Sequence, residues 1–229
     1  MTSFYQGSKC LEFPFLVKIK VVGCSNMTTF VSTFSRDEDK EEIIGDDVDN
    51  VTTFFSDKLA FPKLENLTIS HLRNVKRIWF KQLRPKLFSN LKVLKVEHCD
   101  ALLNIFPPFF LGDFQRLEKL IVTDCASLEE VFQLQVRVLD IVEACIVTSE
   151  LRHVKLFRLP KLKHVWNKDS NENISFKNLR EVHVQECWSL KSLFPFSTAK
   201  YLQQLKSLVI DSCGVEEIIS KRVEGSNKH

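Results

Sequence analysis

The sequence predicts an α/β solenoid. Each coil would give one short strand to a concave parallel β-sheet and return along an irregular or short-helical convex side. Three observations lead there: one unit recurs along nearly the whole chain, its first half alternates apolar with other residues, and its second half spaces apolar residues three and four apart. The unit is plainest in FPKLENLTISHLRNVKRIW from Phe61, FSNLKVLKVEHCDALLNIF from Phe88, FQRLEKLIVTDCASLEEVF from Phe114 and FKNLREVHVQECWSLKSLF from Phe176. In all four the opening Phe stands 18 residues before a closing aromatic, pairing Phe61 with Trp79, Phe88 with Phe106, Phe114 with Phe132 and Phe176 with Phe194.

Three weaker copies complete the set. One runs from Phe13 through Leu16, Ile19, Val21, Cys24 and Met27 to Phe30; one from Leu151 to Trp166; the last from Leu202 to Ile218. The leading leucines fall at 16, 64, 91, 117, 151, 179 and 205, so the steps are 48, 27, 26, 34, 28 and 26. Four of the six steps sit inside the window of about 20–29 residues that marks leucine-rich repeats. Residues 1–229 are therefore expected to form one leucine-rich repeat domain of about seven units. The two long steps carry insertions on the return side, an acidic loop at 35–56 and a more apolar segment at 133–149.

Each part of the unit has a physical task. Leu-x-x-Leu-x-Leu contains period-2 alternation, a short strand with one buried face. The Cys or Leu that follows points into the coil where the chain turns; a small apolar side chain with a weak S–H donor suits that slot. The second half, for example Ser127 to Phe132, suits a helical turn or irregular coil. One unit cannot bury its own face, so stacking makes the core. Seven strands about 4.8 Å apart would give an inner wall roughly 30 Å long. Trp79, Phe106, Phe132, Trp166 and Phe194 recur at one position and should form an internal stripe, whereas Trp188 follows Cys187 outside that register.

Composition excludes several function classes. Of 229 residues, 44% are hydrophobic and 27% charged, which is ordinary for a folded soluble chain. The net charge of +3 is too small to argue for nucleic acid. It is unevenly placed, since residues 36–49 carry eight acids and two bases, leaving +9 on the remainder. Basic residues cluster at Lys76, Arg77, Lys81, Arg84 and Lys86, and again from Arg152 to Lys163. No apolar stretch is long enough to span a membrane. The start, MTSFYQGSKCLEF, is not a secretory signal, so a cytoplasmic location with reduced thiols is expected. The Asn-x-Ser/Thr sequons at Asn26, Asn50, Asn66 and Asn173 are then read as coincidence.

Candidate chemistry is thin. Cys24, Cys99, Cys125, Cys187 and Cys213 recur one per unit, and no C-x-x-C pair supports a zinc site. Glu97 and His98 should face outward while Cys99 faces inward, so no Cys–His pair converges for nucleophilic catalysis. The six glycines form no phosphate-binding loop. We therefore expect no enzyme activity, cofactor or metal.

Function falls instead on the outward strand positions and the residue after each strand. The candidate protein-binding face is Lys95, Glu97, His98, Lys119, Thr123, Asp124, His153, Lys155, Phe157, Arg158, Glu181, His183 and Gln185. The same positions in the other units are Lys18, Lys20, Asn66, Thr68, Ser70, His71, Ser207, Val209, Asp211 and Ser212. Phe157 and Arg158 are the anchor, because aromatic residues and Arg dominate interface hot spots.

The strings LKVLKVEHCDALLNIF, LEKLIVTDCASLEEVF, LRHVKLFRLPKLKHVW and LREVHVQECWSLKSLF resemble the C-terminal repeats of plant coiled-coil, nucleotide-binding, leucine-rich-repeat disease-resistance proteins. The likeness covers about residues 11–219 and includes the C-x-x-L-x-x-[ILV]-[FW] tail. It implies a protein-recognition role in defence, sensing a pathogen effector or a host protein, or holding a nucleotide-binding module inactive. The sequence carries no such module, so the resemblance implies nothing about nucleotide switching here. The first repeat begins almost at once, without a polar cap, so an upstream part is expected. The alternative is a substrate-recognition subunit of a ubiquitin ligase, and a third option is an extracellular enzyme inhibitor with glycans and disulfide caps.

Overall fold

The computed structural model describes residues 2–7, 10–32, 53–56, 59–79, 88–106, 114–132, 147–166 and 174–221. The alternating segments form seven five-residue strands: Lys18–Val22, Asn66–Ser70, Val93–Glu97, Lys119–Thr123, His153–Phe157, Glu181–Gln185 and Ser207–Asp211. We number the coils 1 to 7 by these strands. They lie in sequence order in one sheet, every neighbour parallel. The register has no stagger: Lys119 pairs with Val93 on one side and His153 on the other, and His153 with Glu181 in turn.

Two turns bend each coil. In Phe-x-x-Leu the leucine N–H donates to the Phe carbonyl, as from Leu91 to Phe88 (2.9 Å) and from Leu117 to Phe114 (3.0 Å). In Cys-x-x-Leu the same bond forms from Leu102 to Cys99 (3.1 Å) and from Leu128 to Cys125 (3.3 Å). These turns aim the leucines, the cysteines and the inward strand residues at one continuous core. Leu94, Val96, Leu120, Val122, Val154 and Leu156 have no exposed surface.

The return segments differ from the expected helical turn or irregular coil. After the second turn come three-residue strands: Arg77–Trp79, Asn104–Phe106, Glu130–Phe132, His164–Trp166, Ser192–Phe194 and Glu217–Ile219. They pair in parallel in separate groups, Asn104 with Glu130 and Glu130 with His164 in the central one and Ser192 with Glu217 at the C-terminal end. The single α-helix among the described residues is four residues long, Phe196–Ala199. The concave sheet advances about 4.8 Å per coil, while a helix with its side chains is about 10 Å across, so helical returns would have to splay the convex side apart. An extended return keeps the same advance and satisfies its backbone groups from the next coil.

That advance also stacks the aromatic tails. Trp79 and Phe106 are 6.4 Å apart and inclined by 8°, Phe106 and Phe132 5.0 Å and 9°, Phe132 and Trp166 4.8 Å and 5°, Trp166 and Phe194 6.1 Å and 18°. The Trp79 Nε1–H donates to the Ile105 carbonyl in the next coil at 2.8 Å. A second row, Phe61, Phe88 and Phe114, runs beside it at 5.8 and 6.1 Å.

Two expectations need correction, and coil 1 adds a ring, Phe55, to the ladder, with Phe30 packed on it at 5.4 Å. The strand Thr53–Phe55, from the long first step, pairs with Arg77–Trp79, and Phe55 stacks on Trp79 at 5.8 Å. Ser70, expected on the outer face, is buried. Of the cysteine row, Cys99, Cys125 and Cys187 are buried, but Cys24 is exposed and Cys213 half-buried. An end coil has one neighbour where an inner coil has two, so its turn residues stay partly wet. The acidic run 36–49, residues 133–146 of the second insertion, and Lys81, Arg84 and Lys86 lie outside the described residues.

The aromatic ladder should carry more stability than any exposed feature. Phe132→Ala should lower the unfolding free energy by about 3–5 kcal/mol in urea titrations. Lys161→Ala, on an exposed turn, should change it by no more than about 0.5 kcal/mol. Equal effects would mean that the ladder is not the core's main support.

Candidate recognition face

Because the register has no stagger, outward side chains stand in straight columns across the coils. The first column is Lys18, Asn66, Val93, Lys119, His153, Glu181 and Ser207. The second is Lys20, Thr68, Lys95, Ile121, Lys155, His183 and Val209, with three lysines and no carboxylate. The third is Val22, Glu97, Thr123, Phe157, Gln185 and Asp211, with Ser70 in the same register but buried and bonded to His71 at 2.7 Å. Across the three, five lysines face three carboxylates, so this face carries a small positive excess.

Ten of the thirteen candidate residues stand in these columns: Lys95, Glu97, Lys119, Thr123, His153, Lys155, Phe157, Glu181, His183 and Gln185. All are half-buried except Glu181, which is exposed. Phe157 meets His183 edge-on, with centroids 4.6 Å apart and planes inclined by 73°. Lys95 Nζ lies 2.9 Å from Glu97 Oε1, and His153 Nε2 3.8 Å from Glu181 Oε2. The face is thus a mixed surface held by contacts within and between columns, with a half-exposed aromatic at its centre.

The remaining three, His98, Asp124 and Arg158, form a separate row with its own backbone. The residue after each strand is left-handed in all seven coils: Gly23 (φ 72°), His71 (58°), His98 (50°), Asp124 (55°), Arg158 (50°), Glu186 (54°) and Ser212 (52°). This conformation turns the chain from the strand into the cysteine slot. In the first six coils it aims the N–H at the next coil, as from Asp124 to the Phe157 carbonyl (3.0 Å) and from Arg158 to that of Gln185 (2.9 Å). Six of the seven are not glycine, although such residues are strained there by about 1–2 kcal/mol. The intercoil bond and the row's own contacts offset that strain.

Those contacts run along the edge of the sheet. The His71 and His98 rings stack at 4.3 Å. His98 Nε2 lies 3.6 Å from Asp124 Oδ2. Arg158 holds Asp124 with two bonds, Nε–H to Oδ1 (2.5 Å) and an Nη2–H to Oδ2 (2.8 Å). The guanidinium holds the Asp124 carboxyl below the usual carboxylate range, chiefly by this hydrogen bonding.

Beneath the row, each cysteine thiol closes its own turn by donating to a carbonyl two residues back. Cys99 reaches Glu97, Cys125 reaches Thr123 and Cys187 reaches Gln185, each at 3.4 Å. Burial pushes the Cys187 thiol up to about 12. The Cys125 thiol is pushed up as well, first by its contact with Cys99 and then by burial. The Cys99 thiol is shifted down, first by its hydrogen bond with Cys125, while Cys125 and Cys187 pack and bond rather than react. Among the described residues, no group of three His, Cys, Asp or Glu side chains is placed to hold a metal ion.

Sequence reasoning placed His98, Asp124 and Arg158 together with the strand positions and did not separate the left-handed row. A repeated glycine would have marked it, but only Gly23 does so. It also left Trp188 outside the candidate set. That side chain is 58% exposed, on the turn beside Glu186.

With the geometry in hand, the chain can be set beside known proteins. The family model described as plant disease resistance protein RPS2-like, leucine-rich repeats, matches residues 46–107 and 63–214. A probable disease resistance protein of Arabidopsis thaliana is 30% identical over 141 residues, which is 59% of this chain and 14% of that relative. The chain therefore corresponds to a small part of the relative's length. No solved structure matches it.

Three measurements test this edge. Ser212→Gly should raise stability by about 0.5–1 kcal/mol, since glycine tolerates the left-handed backbone; a loss of stability would contradict the strain. Asp124 has a depressed folded-state pKa, so the stability from its pairing is present above the unfolded value, near 3.9, and is lost as pH falls through the lower folded value. Asp124→Asn should accordingly reduce the protein's acid-side loss of stability in pH-dependent melts. In native protein near neutral pH, iodoacetamide should label Cys24 and spare Cys187, as read by peptide mass spectrometry.

Proposed function

The chain belongs to the leucine-rich repeat family of plant disease resistance proteins, and we propose that its concave face is a protein-recognition surface acting in defence. In this reading the face binds a pathogen effector or a host protein, or holds a receptor's nucleotide-binding module inactive. A cytoplasmic location belongs to the same proposal; no helix among the described residues is long and apolar enough to cross a membrane. The observation that carries the reading is the stagger-free sheet, which presents three rigid columns of mixed chemistry. Rigid strands lose little entropy on binding, so contacts there convert well into affinity.

The residues we assign to the contact are those around Phe157. Its ring is half-exposed and braced edge-on by His183. Lys155 stands one column over, in the lysine-bearing column that has no carboxylate. Such a surface fits a partner with an apolar side chain at the centre and acidic residues around it. Mixed charge at the margin steers encounter, while the buried aromatic supplies most of the affinity.

The test is binding in trans. The chain, purified whole, is titrated with a panel of effector proteins and with a nucleotide-binding module from a plant receptor, using calorimetry. Phe157→Ala should weaken the association at least tenfold, about 1.4 kcal/mol, while leaving the melting temperature within a few degrees. Lys155→Glu should slow association most at low salt. Full affinity in both variants would move the contact off this face.

A further inference from the structure

Beyond the concave face, the edge holds a notch of about 440 Å³ between coils 3 and 6. It arises because the residue after each cysteine-slot position changes size along the stack. Ala126 and Pro160 are small and form the floor, Trp188 rises as a wall, and Asp100, Asp124 and Glu186 are among the side chains at the rim. The wall is fixed at its base. Ser189 Oγ–H donates to the Pro160 carbonyl at 2.6 Å, and the Gly214 N–H donates to the Cys187 carbonyl at 3.2 Å. A side chain at Gly214 would collide with the Trp188 carbonyl, since a Cβ there would lie 1.9 Å from it. The indole therefore stands exposed on an anchored loop.

Electrostatics selects the occupant. Three carboxylates line the notch against one guanidinium, so it is negative while the concave face beside it is positive. The guanidinium is already committed, because both carboxylate oxygens of Asp124 occupy the Arg158 fork. An incoming anion would have to displace that pair. Among the described residues, no cation lies within ion-pair distance of Asp100 or Glu186, although Arg158, bonded to Asp124, also feels the Glu186 charge. A cation over the face of Trp188, within about 6 Å of the ring, would gain from the indole quadrupole and from Glu186 in the same coil, while Asp100, three coils away at the far end of the notch, adds to its negative charge.

We propose that this notch receives a lysine or arginine side chain from a protein partner, with the cation over Trp188 beside Glu186 and the notch's negative charge, Asp100 included, drawing it in. The choice of a protein as partner rests on the recognition reading above; the preference for a cation rests on the notch alone. Recognition would then be bipolar: an acidic, apolar segment on the concave columns and a basic residue at the edge, both on one partner surface. That pattern selects partners by the spacing of opposite charges as well as by their sign.

The probe is hexalysine, with hexaserine and hexaglutamate as controls, titrated into the full chain at low salt. The readout is the indole N–H signal of Trp188, identified by its loss in Trp188→Phe and distinct from those of the buried Trp79 and Trp166. Hexalysine should shift it, and the controls should not. Followed at the backbone amide signal of Ala126 on the notch floor, Trp188→Ala should weaken hexalysine binding at least fivefold with unchanged melting, and Glu186→Gln with Asp100→Asn should weaken it comparably if the indole variant fails to fold. Phe157→Ala should leave it unchanged, so failure of the concave reading and failure of this one are separable. The proposal is overturned if hexalysine binds equally well to these variants, or if hexaglutamate shifts the Trp188 signal.

Discussion

Everything in this molecule depends on each coil advancing by the same small distance as its neighbours. The concave strands pair without stagger, so one hydrogen-bond ladder sets that advance for the whole stack. The return side has to keep pace, and the three-residue strands do so with their own parallel bonds. Planar rings stacked at 4.8–6.4 Å fit the same advance, which accounts for an aromatic at the end of most units. The core is therefore a set of rows rather than a cluster. A residue is supported mainly by its counterparts one coil away, as expected of a solenoid.

The same constraint produces the exposed chemistry. A strand running straight into a buried cysteine must turn sharply, and one left-handed residue per coil makes that turn. Because its N–H is used by the next coil, its side chain is free to vary, and the chain fills the row with His71, His98, Asp124, Arg158 and Glu186. They interact along the edge as the rings interact in the core, only with charge and polarity in place of apolar area. The outer face thus has two regions of opposite sign, the lysine-bearing columns and the acidic notch beside Trp188. Both are held by backbone that the stack itself fixes, the condition under which a binding surface loses least on association.

Much of the architecture was legible. Leu-x-x-Leu-x-Leu announced the buried strand, and the Cys or Leu after it announced the turn. The closing aromatics from Trp79 to Phe194 were legible as an internal stripe because they recur at one position. The return strands were not. Apolar pairs such as Val131–Phe132 follow another apolar residue at helical spacing, and only their pairing with the neighbouring coils shows them extended. Phe55 in the ladder was not legible either, since it comes from the long first step and stands in no repeat register. Lys95, Lys155 and Phe157 were placed outward by alternation alone. The left-handed row and the notch were hidden, because nothing local distinguishes His98 or Asp124 from a residue at the end of an ordinary strand.

What the sequence by itself determined is periodic: the number of coils with a strand, the residues that face inward, and the row in which the buried thiols stand. Periodicity is a property of the chain and needs no knowledge of neighbours. What only the tertiary structure decided is lateral: which side chains from different coils meet, that Arg158 binds Asp124 across 34 residues, and that Trp188 stands over the small side chains of Ala126 and Pro160. Those meetings are set by the absence of stagger between strands. Stagger is fixed by the packing of whole coils on one another, and no single repeat carries it.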